Sequence, residues 1–518
     1  MKLFGRRSLR VHTDKQCAFR LNKLLSPACA ATIASAIIMC LALMAPPIVG
    51  MADNGDFYRT ANGQGIYKLD RYENDQYLSY FSHSYGVYQY YNEYESSIFT
   101  TYLPLIKAAK LLDDLITRDD RFDIRFMSGM LILYHTLAIY LLVSYATYRL
   151  QGNAGYWVAA LAVFLFADTG YTAYFNSFYA EGLVLTSFLC TVACALLMTQ
   201  RRYSLYAMLS LMTLNGLILT GTKQQNAPVG ILLGLLSVNL MLVLSRKAEP
   251  TKQERYIKNI KAFRVVALGA CTVLCAGGIA VYAFIPKEFV TINQYHAMTR
   301  GVLMTAQNPE QALLEFDINR QFALLNNSIY YERYPAIKVE DPLLTDQFYA
   351  KYGFVSVMSY YLRHPAQLFQ MIDIAAKEAY AIRPESIGNF ERSYGAPPGS
   401  KTNFFTLHSS WKLMAVPKTI GFILVWAILA GVICYKDKGK LSIVLFSILI
   451  GLSQIGVSII GAGDADLSKH IFLYNVTFDF VNFLCVSVMI THVHAWLVKQ
   501  HQTYQEKRRN RVGRTSPA

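Results

Sequence analysis

Long apolar runs recur along this chain of 518 residues and constrain its fold more than any other feature. Several of them reach the roughly 18 to 20 residues that a helix needs to cross about 30 Å of hydrocarbon. Apolar residues make up 53% of the sequence and charged residues only 16%, a balance that argues against a string of water-soluble domains. We therefore predict an all-α polytopic membrane protein.

The apolar runs indicate about ten transmembrane helices and leave two extracytoplasmic polar regions. The helices are predicted at residues 25–49, 127–148, 156–175, 182–199, 206–222, 228–245, 265–285, 417–435, 441–460 and 471–498. The first run is longer than the roughly 7 to 15 apolar residues of a signal peptide, which favours an uncleaved anchor over a cleaved signal sequence. Apolar residues recur at helical spacing in the larger polar region, so we expect an ordered, mainly helical domain there.

The net charge of +15 is explained by its location. Basic residues concentrate around positions 6–23, 246–264, 436–440 and 499–514, in short segments between or beyond the apolar runs. This is the positive-inside pattern, and such segments also attract anionic membrane lipids. The charge therefore does not indicate nucleic-acid binding. With ten spans, the N- and C-termini and every short basic connector lie in the cytoplasm.

The same pattern divides the chain into five parts. They are a cytoplasmic basic tail at 1–24, a transmembrane core at 25–285 that includes the first extracytoplasmic loop 51–126, an extracytoplasmic domain at 286–416, the last three spans at 417–498, and a cytoplasmic basic tail at 499–518. The composition of the C-terminal tail is typical of disorder.

Polar residues at the ends of the spans cluster on one side of the predicted membrane. Ionisable groups at a bilayer boundary are costly, so they are usually paired or functional. The clusters are Asp53, Asp56 and Arg59 after span 1; Asp168, Asn176, Tyr179 and Glu181 between spans 3 and 4; Lys223 and Gln224 after span 5; and Asp464, Asp466, Lys469 and His470 before span 10. A single site of carboxylates and cations at the outer membrane surface accounts for all four.

Such a site has the groups that glycosyl transfer from a lipid phosphate requires. A carboxylate must accept the proton of the attacking hydroxyl. We assign this role to Asp56, with Asp53 as the second choice, and expect Glu181 to orient the acceptor or share the work of the base. Cations must stabilise the phosphate leaving group. The predicted phosphate ligands are Arg59, Lys223, Lys469 and His470, and the predicted contacts to sugar or acceptor are Tyr58, Tyr179, Asn176, Gln224, Asp464 and Asp466.

Three motifs resemble the GT-C superfamily of integral-membrane glycosyltransferases. They are DNGDFYR at 53–59, directly after the first span, FNSFYAEG at 175–182 and KHIFLYN at 469–475. With the many spans and the late outer domain, they are most similar to bacterial membrane hexose transferases of cell-surface glycan synthesis. The resemblance implies that a hexose moves from a polyprenyl-phosphate donor to a glycan or lipid-linked acceptor. It also implies transfer with inversion on the extracytoplasmic face of the bacterial cytoplasmic (inner) membrane.

Other interpretations of the same residues stay open. Asp53 and Asp56 also fit an ordinary Asx-rich turn. Alternatively they chelate a divalent cation, Mg²⁺ or Mn²⁺, with further ligands from Glu181 or the 464–466 turn. No cofactor is certain from the sequence, and no zinc-type spacing is present. Lys223 also suits a side chain that extends to lipid headgroups, and His470 a neutral hydrogen-bonding residue.

Two other functions are weighed against the hexose transferase. An O-antigen-type polymerase or ligase also uses lipid-linked donors, but usually relies on basic residues without an acidic pair directly after span 1. A polytopic glycolipid transporter predicts paired repeats and charges near the bilayer centre. The charges here cluster at one interface instead, which favours the transferase. The sequence identifies neither the sugar, nor the acceptor, nor the oligomeric state.

Overall fold

A computed structural model describes residues 25–69, 77–89, 99–148, 150, 152–246 and 253–513, with the backbone alone for 246, 253–260 and 508–513. Within this part of the chain, apolar helices coincide with all ten predicted spans. We number them α1 (Pro27–Leu43), α2 (Arg125–Thr147), α3 (Ala154–Phe166), α4 (Glu181–Gln200), α5 (Leu205–Gly221), α6 (Ala227–Arg246), α7 (Gln253–Ala283), α8 (Ile420–Cys434), α9 (Lys438–Ala462) and α10 (Phe472–Gly513). The predicted tail at 1–24 lies outside the described residues.

The helices confirm a multi-pass helical membrane protein. Among the described residues, six are long and apolar enough to cross a membrane, namely α2, α4, α6, α7, α9 and α10, and up to eight are if each of two bent pairs is one span. The helices α1 and α5 are apolar but shorter, with 17 residues each. The count of ten spans therefore stays a prediction.

The third predicted span is broken. After α3 the chain continues in short helical turns over residues 169–175, at 44° to the first piece. Asp168 lies at the break, where its carboxylate accepts hydrogen bonds from the backbone N–H groups of Gly170 (2.7 Å) and Ser409 (3.0 Å). An Asp side chain that bonds the backbone in this way begins a new helix rather than continuing an old one.

The helix that precedes α8, Leu407–Ala415, lies at 118° to it and forms with it the second bent pair. Pro417 lies between the two helices and has no N–H group with which to continue the first one. Leu407, Trp411 and Met414 are exposed on this short helix, as expected of a helix in the membrane interface. The sequence predicts that residues 407–415 belong to the outer domain at 286–416, whereas in the structure they form a bent pair with α8.

The last helix is longer than predicted. α10 continues without a break from Phe472 to Gly513, past the expected end of the span at residue 498. The stretch beyond 498 is rich in Lys, Arg, Gln and Glu, which are good helix formers, so its polar composition is compatible with a helix that leaves the membrane. Most of the tail that the sequence analysis expects to be disordered is therefore helical.

The first outer region contains a small sheet that corrects the all-α prediction. Its strands, Ile66–Tyr67, Ser84–Val87 and Arg121–Asp123, pair antiparallel in chain order. Two to four residues are too few to show the alternation by which a strand is recognised in a sequence. The same region also contains an amphipathic helix, Leu103–Ile116.

The two outer regions pack on each other above the apolar helices. Backbone N–H groups of Phe81 and Gly388 donate to the carbonyls of Phe390 (3.0 Å) and Leu78 (2.8 Å), which joins the first region to the late one. The late region consists of helices, among them Lys287–Ala297, Pro309–Leu314, Pro342–Gln347, Phe354–Arg363 and Pro365–Glu378. Beneath the two outer regions, α4 is buried along almost its whole length, so its first residue, Glu181, lies inside the protein.

Candidate functional site

The acidic motif follows an extended segment that is held on both sides. The backbone N–H of Gly50 donates to the carbonyl of Asn389 (3.1 Å), that of Met51 to Asn176 (3.2 Å) and that of Ala52 to Gly388 (3.0 Å). The segment thus lies like a central strand between the turn before α4 and the late outer region. Since these contacts come from two parts of the chain that are distant from the motif and from each other, the position of the motif depends on the complete fold.

Side chains of the FNSFYAEG stretch complete this support. The Asn176 amide donates to the carbonyls of Leu43 (2.9 Å) and Val49 (2.8 Å), and Asn176 is fully buried. The Tyr179 hydroxyl donates to the carbonyl of Ala52 (2.9 Å) and accepts from the Asn54 N–H (2.7 Å). Asn176 therefore positions the acidic motif and lies outside the cavity described below, in contrast to the predicted contact with sugar.

Asn389 is expected to be as important for this support as Asn176. Its amide donates to the Gly50 carbonyl (2.8 Å) and its oxygen accepts from Arg383 (2.8 Å), and the residue is fully buried. Asn389→Ala removes the side-chain donor to the Gly50 carbonyl, at about 1–3 kcal/mol, and one of the two acceptors of Arg383 Nη1. We expect a lower thermal midpoint in a detergent-solubilised sample. Asn308→Ala, at an exposed helix start, should have a smaller effect. Equal effects of the two changes would contradict the assigned role.

Asp53 is buried below the surface of the motif. One carboxylate oxygen accepts from the N–H groups of Gly55 (2.8 Å) and Phe57 (3.1 Å), and the other pairs with Lys68. The residue is only 2% exposed and does not line the cavity. Asp53 thus forms an Asx-type turn that shapes the loop. This geometry disfavours the second-choice role of Asp53 as a base, because no substrate hydroxyl can reach its carboxylate.

The remaining clusters converge on one cavity of about 1220 Å³ at the outer ends of the helices. The acidic motif, the start of α4, the α5–α6 connection and the α9–α10 connection all contribute to its walls. Among the predicted site residues, those that line it are Asp56, Tyr58, Arg59, Tyr179, Glu181, Lys223, Gln224, Asp466, Lys469 and His470. Three predicted residues, Asp53, Asn176 and Asp464, are not among them.

Asp56 lies between two cations. Its carboxylate pairs with Arg59 (3.1 Å) and with Lys469, which comes from the α9–α10 connection. Burial raises the pKa of Asp56, but the attraction of Lys469 and Arg59 outweighs it and holds the pKa well below its usual range. The Lys469 ammonium also lies over the Tyr179 ring, 4.4 Å from its centroid. Asp56 is therefore ionised at neutral pH and faces the cavity.

Glu181 and Lys223 form a second pair in the cavity wall. Glu181 is 1% exposed and begins α4, where the helix dipole favours a negative charge. One of its oxygens pairs with Lys223, and the other is buried without a partner among the described residues. Burial lowers the pKa of Lys223, against the opposing attraction of Glu181. An unpartnered buried oxygen next to a cavity is suited to accept a hydrogen bond from a ligand.

His470 is neutral rather than cationic. Burial and the nearby charge of Lys223 lower its pKa to about 4. Its Nδ1 lies 2.8 Å from the side-chain oxygen of Gln225, which also lines the cavity. A neutral imidazole supplies no positive charge, so the geometry does not support the predicted role in phosphate binding. It agrees with the alternative of a hydrogen-bonding residue.

The two acidic residues of the α9–α10 connection differ in position. Asp464 accepts from Nε (2.6 Å) and Nη2 (2.7 Å) of Arg300, a bidentate pair that ties the connection to the late outer region. Its carboxylate is thus occupied outside the cavity. Asp466 is exposed, lines the cavity and accepts from the Asn54 amide (3.5 Å). Its φ of 45° is in the left-handed region, which is uncommon for a residue other than glycine.

Two of the cavity residues to which the sequence assigned no role are His296 and Gln225. His296 lies on the helix Lys287–Ala297, and its Nε2 accepts from the backbone N–H of Tyr330 (2.9 Å). Burial and the neighbouring His470 lower its pKa to about 4. A single histidine in a helical outer segment carries no sequence signal, since only the fold brings it beside the α9–α10 connection.

The donor set of the cavity does not fit a divalent cation. In the described part of the chain, no group of three or more His, Cys, Asp and Glu side chains is close enough to hold a metal ion. Two cavity carboxylates, the partly exposed Asp56 and the buried Glu181, each pair with a lysine instead. An ammonium group on each carboxylate takes the place that a metal ion would need.

Comparisons with known proteins indicate the family to which the chain belongs. The sequence matches the family described as the YfdI N-terminal transmembrane domain over residues 13–511, nearly the whole chain. No curated protein matches it in sequence. Among solved structures, it is similar to the archaeal oligosaccharyltransferase AglB from Archaeoglobus fulgidus in complex with an inhibitory peptide and a dolichol-phosphate, with 10% identity and a TM-score of 0.40. The match covers 92% of this chain and 52% of that one, so this chain spans about half the length of AglB. A likeness this weak says nothing about activity.

Proposed function

We propose that this chain, which belongs to the family of the YfdI N-terminal transmembrane domain, is a hexose transferase. Its membership of that family supports the resemblance to GT-C membrane glycosyltransferases. Its donor is a polyprenyl-phosphate hexose, and its acceptor is a glycan or lipid-linked saccharide of the cell envelope. One observation carries the proposal. A single cavity combines an ionised carboxylate, three cations and an apolar wall.

The composition of the cavity suits a lipid phosphate. Arg59, Lys223 and Lys469 supply positive charge at its polar end. The apolar wall is formed by α6, α7 and neighbouring segments, and its residues include Phe99, Ile231, Ile279, Tyr282, Ile285 and Val290. All of these except Ile285 are exposed, as expected for side chains that contact an acyl or prenyl chain. A charged headgroup and an apolar tail can therefore bind side by side.

The chemistry follows from how the lysines are held. Lys469 pairs with Asp56, and Lys223 pairs with Glu181. The donor phosphate competes for both lysines, and as Lys469 turns toward it the pKa of Asp56 rises toward its usual value. Asp56 thus becomes a better base when the donor is bound.

In the transfer step the acceptor oxygen forms a bond to the anomeric carbon of the hexose. The bond from that carbon to the phosphate oxygen breaks, and its electron pair leaves with the lipid phosphate. The proton of the acceptor hydroxyl moves to Asp56. Lys223, Lys469 and Arg59 stabilise the charge that builds on the departing phosphate. Attack from the side opposite the phosphate inverts the anomeric centre.

The orientation of the protein is proposed from its basic residues. The cavity lies where α4 and α6 begin and where α5 and α9 end. The opposite end carries Arg201 and Arg202 after α4 and Lys436 before α9. By the positive-inside rule that end faces the cytoplasm. We therefore place the cavity on the extracytoplasmic side of the bacterial inner membrane, with both termini in the cytoplasm.

The test is transfer by the purified full-length chain in lipid vesicles. A panel of radiolabelled polyprenyl-phosphate hexoses is supplied with a cell-envelope lipid and glycan extract as acceptor. We expect one hexose to be transferred, with release of an equal amount of lipid phosphate. No release with any hexose would contradict the proposal. Movement of the intact glycolipid across the bilayer without release would favour the transporter.

Lys469→Met is expected to lower the transfer rate by about 100-fold, because one group that stabilises the phosphate is lost. The pKa of Asp56 also rises without Lys469, so the variant should lose its residual activity at a higher pH than the wild type as the medium is acidified. The measurement is a pH profile of lipid-phosphate release at donor concentrations well below saturation, where the rate reports the protonation of Asp56 in the free enzyme. Lys438→Met, at the opposite end of α9, is the matched control and should keep the wild-type profile. Equal profiles of the two variants would contradict the role of Lys469.

A further inference from the structure

Two histidines line the same cavity, and each has one ring nitrogen engaged by the protein. His470 Nδ1 contacts the Gln225 side-chain oxygen (2.8 Å), and His296 Nε2 contacts the backbone N–H of Tyr330 (2.9 Å). Among the described residues, neither His470 Nε2 nor His296 Nδ1 has a hydrogen-bond partner, neither atom is fully buried, and both residues line the cavity. The hydrogen-bonding character of these two atoms can be worked out from their neighbours.

The tautomer of His470 is fixed by Gln225. The Gln225 amide nitrogen faces two oxygens, the backbone carbonyl of His470 and the side-chain oxygen of Gln454 (3.2 Å). An amide N–H₂ group donates, so this orientation is set and the Gln225 oxygen must face the ring. The ring then donates from Nδ1. Because the imidazole is neutral, Nε2 carries a lone pair and is an acceptor.

The tautomer of His296 is fixed by the backbone. The N–H of Tyr330 can only donate, so His296 Nε2 must accept. The single proton of this neutral ring is therefore on Nδ1, which is a donor. The two histidines thus offer the cavity opposite hydrogen-bonding groups, an acceptor from His470 and a donor from His296. Neither adds charge.

We propose that His470 Nε2 and His296 Nδ1 form a subsite that recognises hydroxyl groups of the donor hexose, which rests on the proposed function. A sugar hydroxyl both donates and accepts, so it is satisfied by neutral groups of either kind. Lys469 directly precedes His470, and the phosphate that it binds carries the hexose. The subsite is therefore next to the phosphate, and the cations stay available for the leaving group. His470 and His296 select the sugar.

The test compares two replacements of His470. His470→Asn keeps an N–H donor near the position of Nδ1, and with it the contact to Gln225, but removes the acceptor. His470→Gln places an amide oxygen near the position of Nε2. The transfer rate is measured with the full donor and with a series of its single-deoxy analogues, each lacking one hydroxyl. In the wild type, we expect at least one analogue to be poorer by about 10- to 100-fold, since a buried acceptor is left unpaired.

In His470→Asn, the transfer rate with the full donor should fall by about the same factor, and the penalty for that one analogue should disappear. His470→Gln should restore part of the transfer rate with the full donor and part of the penalty for that analogue. His296→Gln, which keeps an acceptor for the Tyr330 N–H but not the cavity donor, should abolish the penalty for a different hydroxyl. Thermal midpoints equal to the wild type show that the variants are folded, and the Asn and Gln forms of His470 serve as mutual checks.

The outcomes separate the two proposals. Absence of transfer by the wild type with every donor overturns the hexose-transferase function. Transfer by the wild type, with His470→Asn and His296→Gln keeping every deoxy penalty, overturns the subsite alone. A penalty that disappears for deoxy acceptors and not for deoxy donors overturns the assignment to the donor hexose. Binding of polyprenyl phosphate without a sugar should be unchanged in both variants, and a loss of that binding also counts against a hydroxyl subsite.

Discussion

Asp56→Asn is expected to abolish hexose transfer while the protein stays folded and binds lipid phosphate. Asn has nearly the same shape but cannot take the acceptor proton, and a general base contributes about 10²- to 10⁴-fold, so the rate should fall at least 100-fold. Lys469 and Arg59 lose an anionic partner and become more available to the phosphate. The affinity for polyprenyl phosphate should therefore stay the same or rise. Transfer and binding are measured on the same preparation.

Two other Asp residues serve as controls for this change. Asp373 is exposed in the late outer region and pairs with Lys377 one turn away, so Asp373→Asn should transfer hexose at the wild-type rate. Asp53 shapes the loop through two backbone N–H groups and Lys68, so Asp53→Asn should lower stability as well as activity. If Asp56→Asn keeps more than about a tenth of the activity, another group such as Glu181 is the base.

The membrane pattern of the fold was predictable because it depends on local composition. A run of about 20 apolar residues requires a hydrocarbon environment wherever the rest of the chain lies. The breaks were not predictable from hydropathy. The average over a window stays apolar through Asp168, while one side chain bonded to Gly170 and Ser409 is enough to bend the helix. The three short strands carry too few residues for any period to show.

Which residues form the candidate site was easier to predict from the sequence than how their side chains are oriented. Ionisable residues at span ends are costly, so their presence on one side indicated a shared site before any coordinates. Which way each side chain points depends on distant partners. Asp53 and Asp56 have the same chemistry and are three residues apart. Yet Asp53 pairs with Lys68 and is buried, whereas Asp56 pairs with Lys469 and lines the cavity. The neutrality of His470 depends likewise on Lys223 and on burial, which a sequence does not show.

Lys412→Met is expected to cause the largest loss of stability, because it leaves a buried charge without its partner. Lys412 and Asp479 are both 0% exposed, and the ammonium donates to the Asp479 carboxylate (2.8 Å). His408 (2.9 Å) and the Tyr171 hydroxyl (2.5 Å) contact the same carboxylate oxygen. Breaking a buried ion pair by removing one partner typically costs about 3–5 kcal/mol. The thermal midpoint and the yield of folded protein in detergent should both fall.

The cluster also explains why the two bent spans are found together. Asp479 lies on α10, Lys412 and His408 lie on the helix before α8, and Tyr171 follows the break after α3. One carboxylate on the unbroken α10 thus joins the two bent spans. Lys412→Met with Asp479→Asn removes both charges and should recover most of the stability, since a neutral buried pair costs far less than a lone ion. Asp479→Asn alone leaves Lys412 unpaired and should be about as damaging as Lys412→Met. If the double variant were less stable than either single one, the loss would come from packing rather than from the unpaired charge.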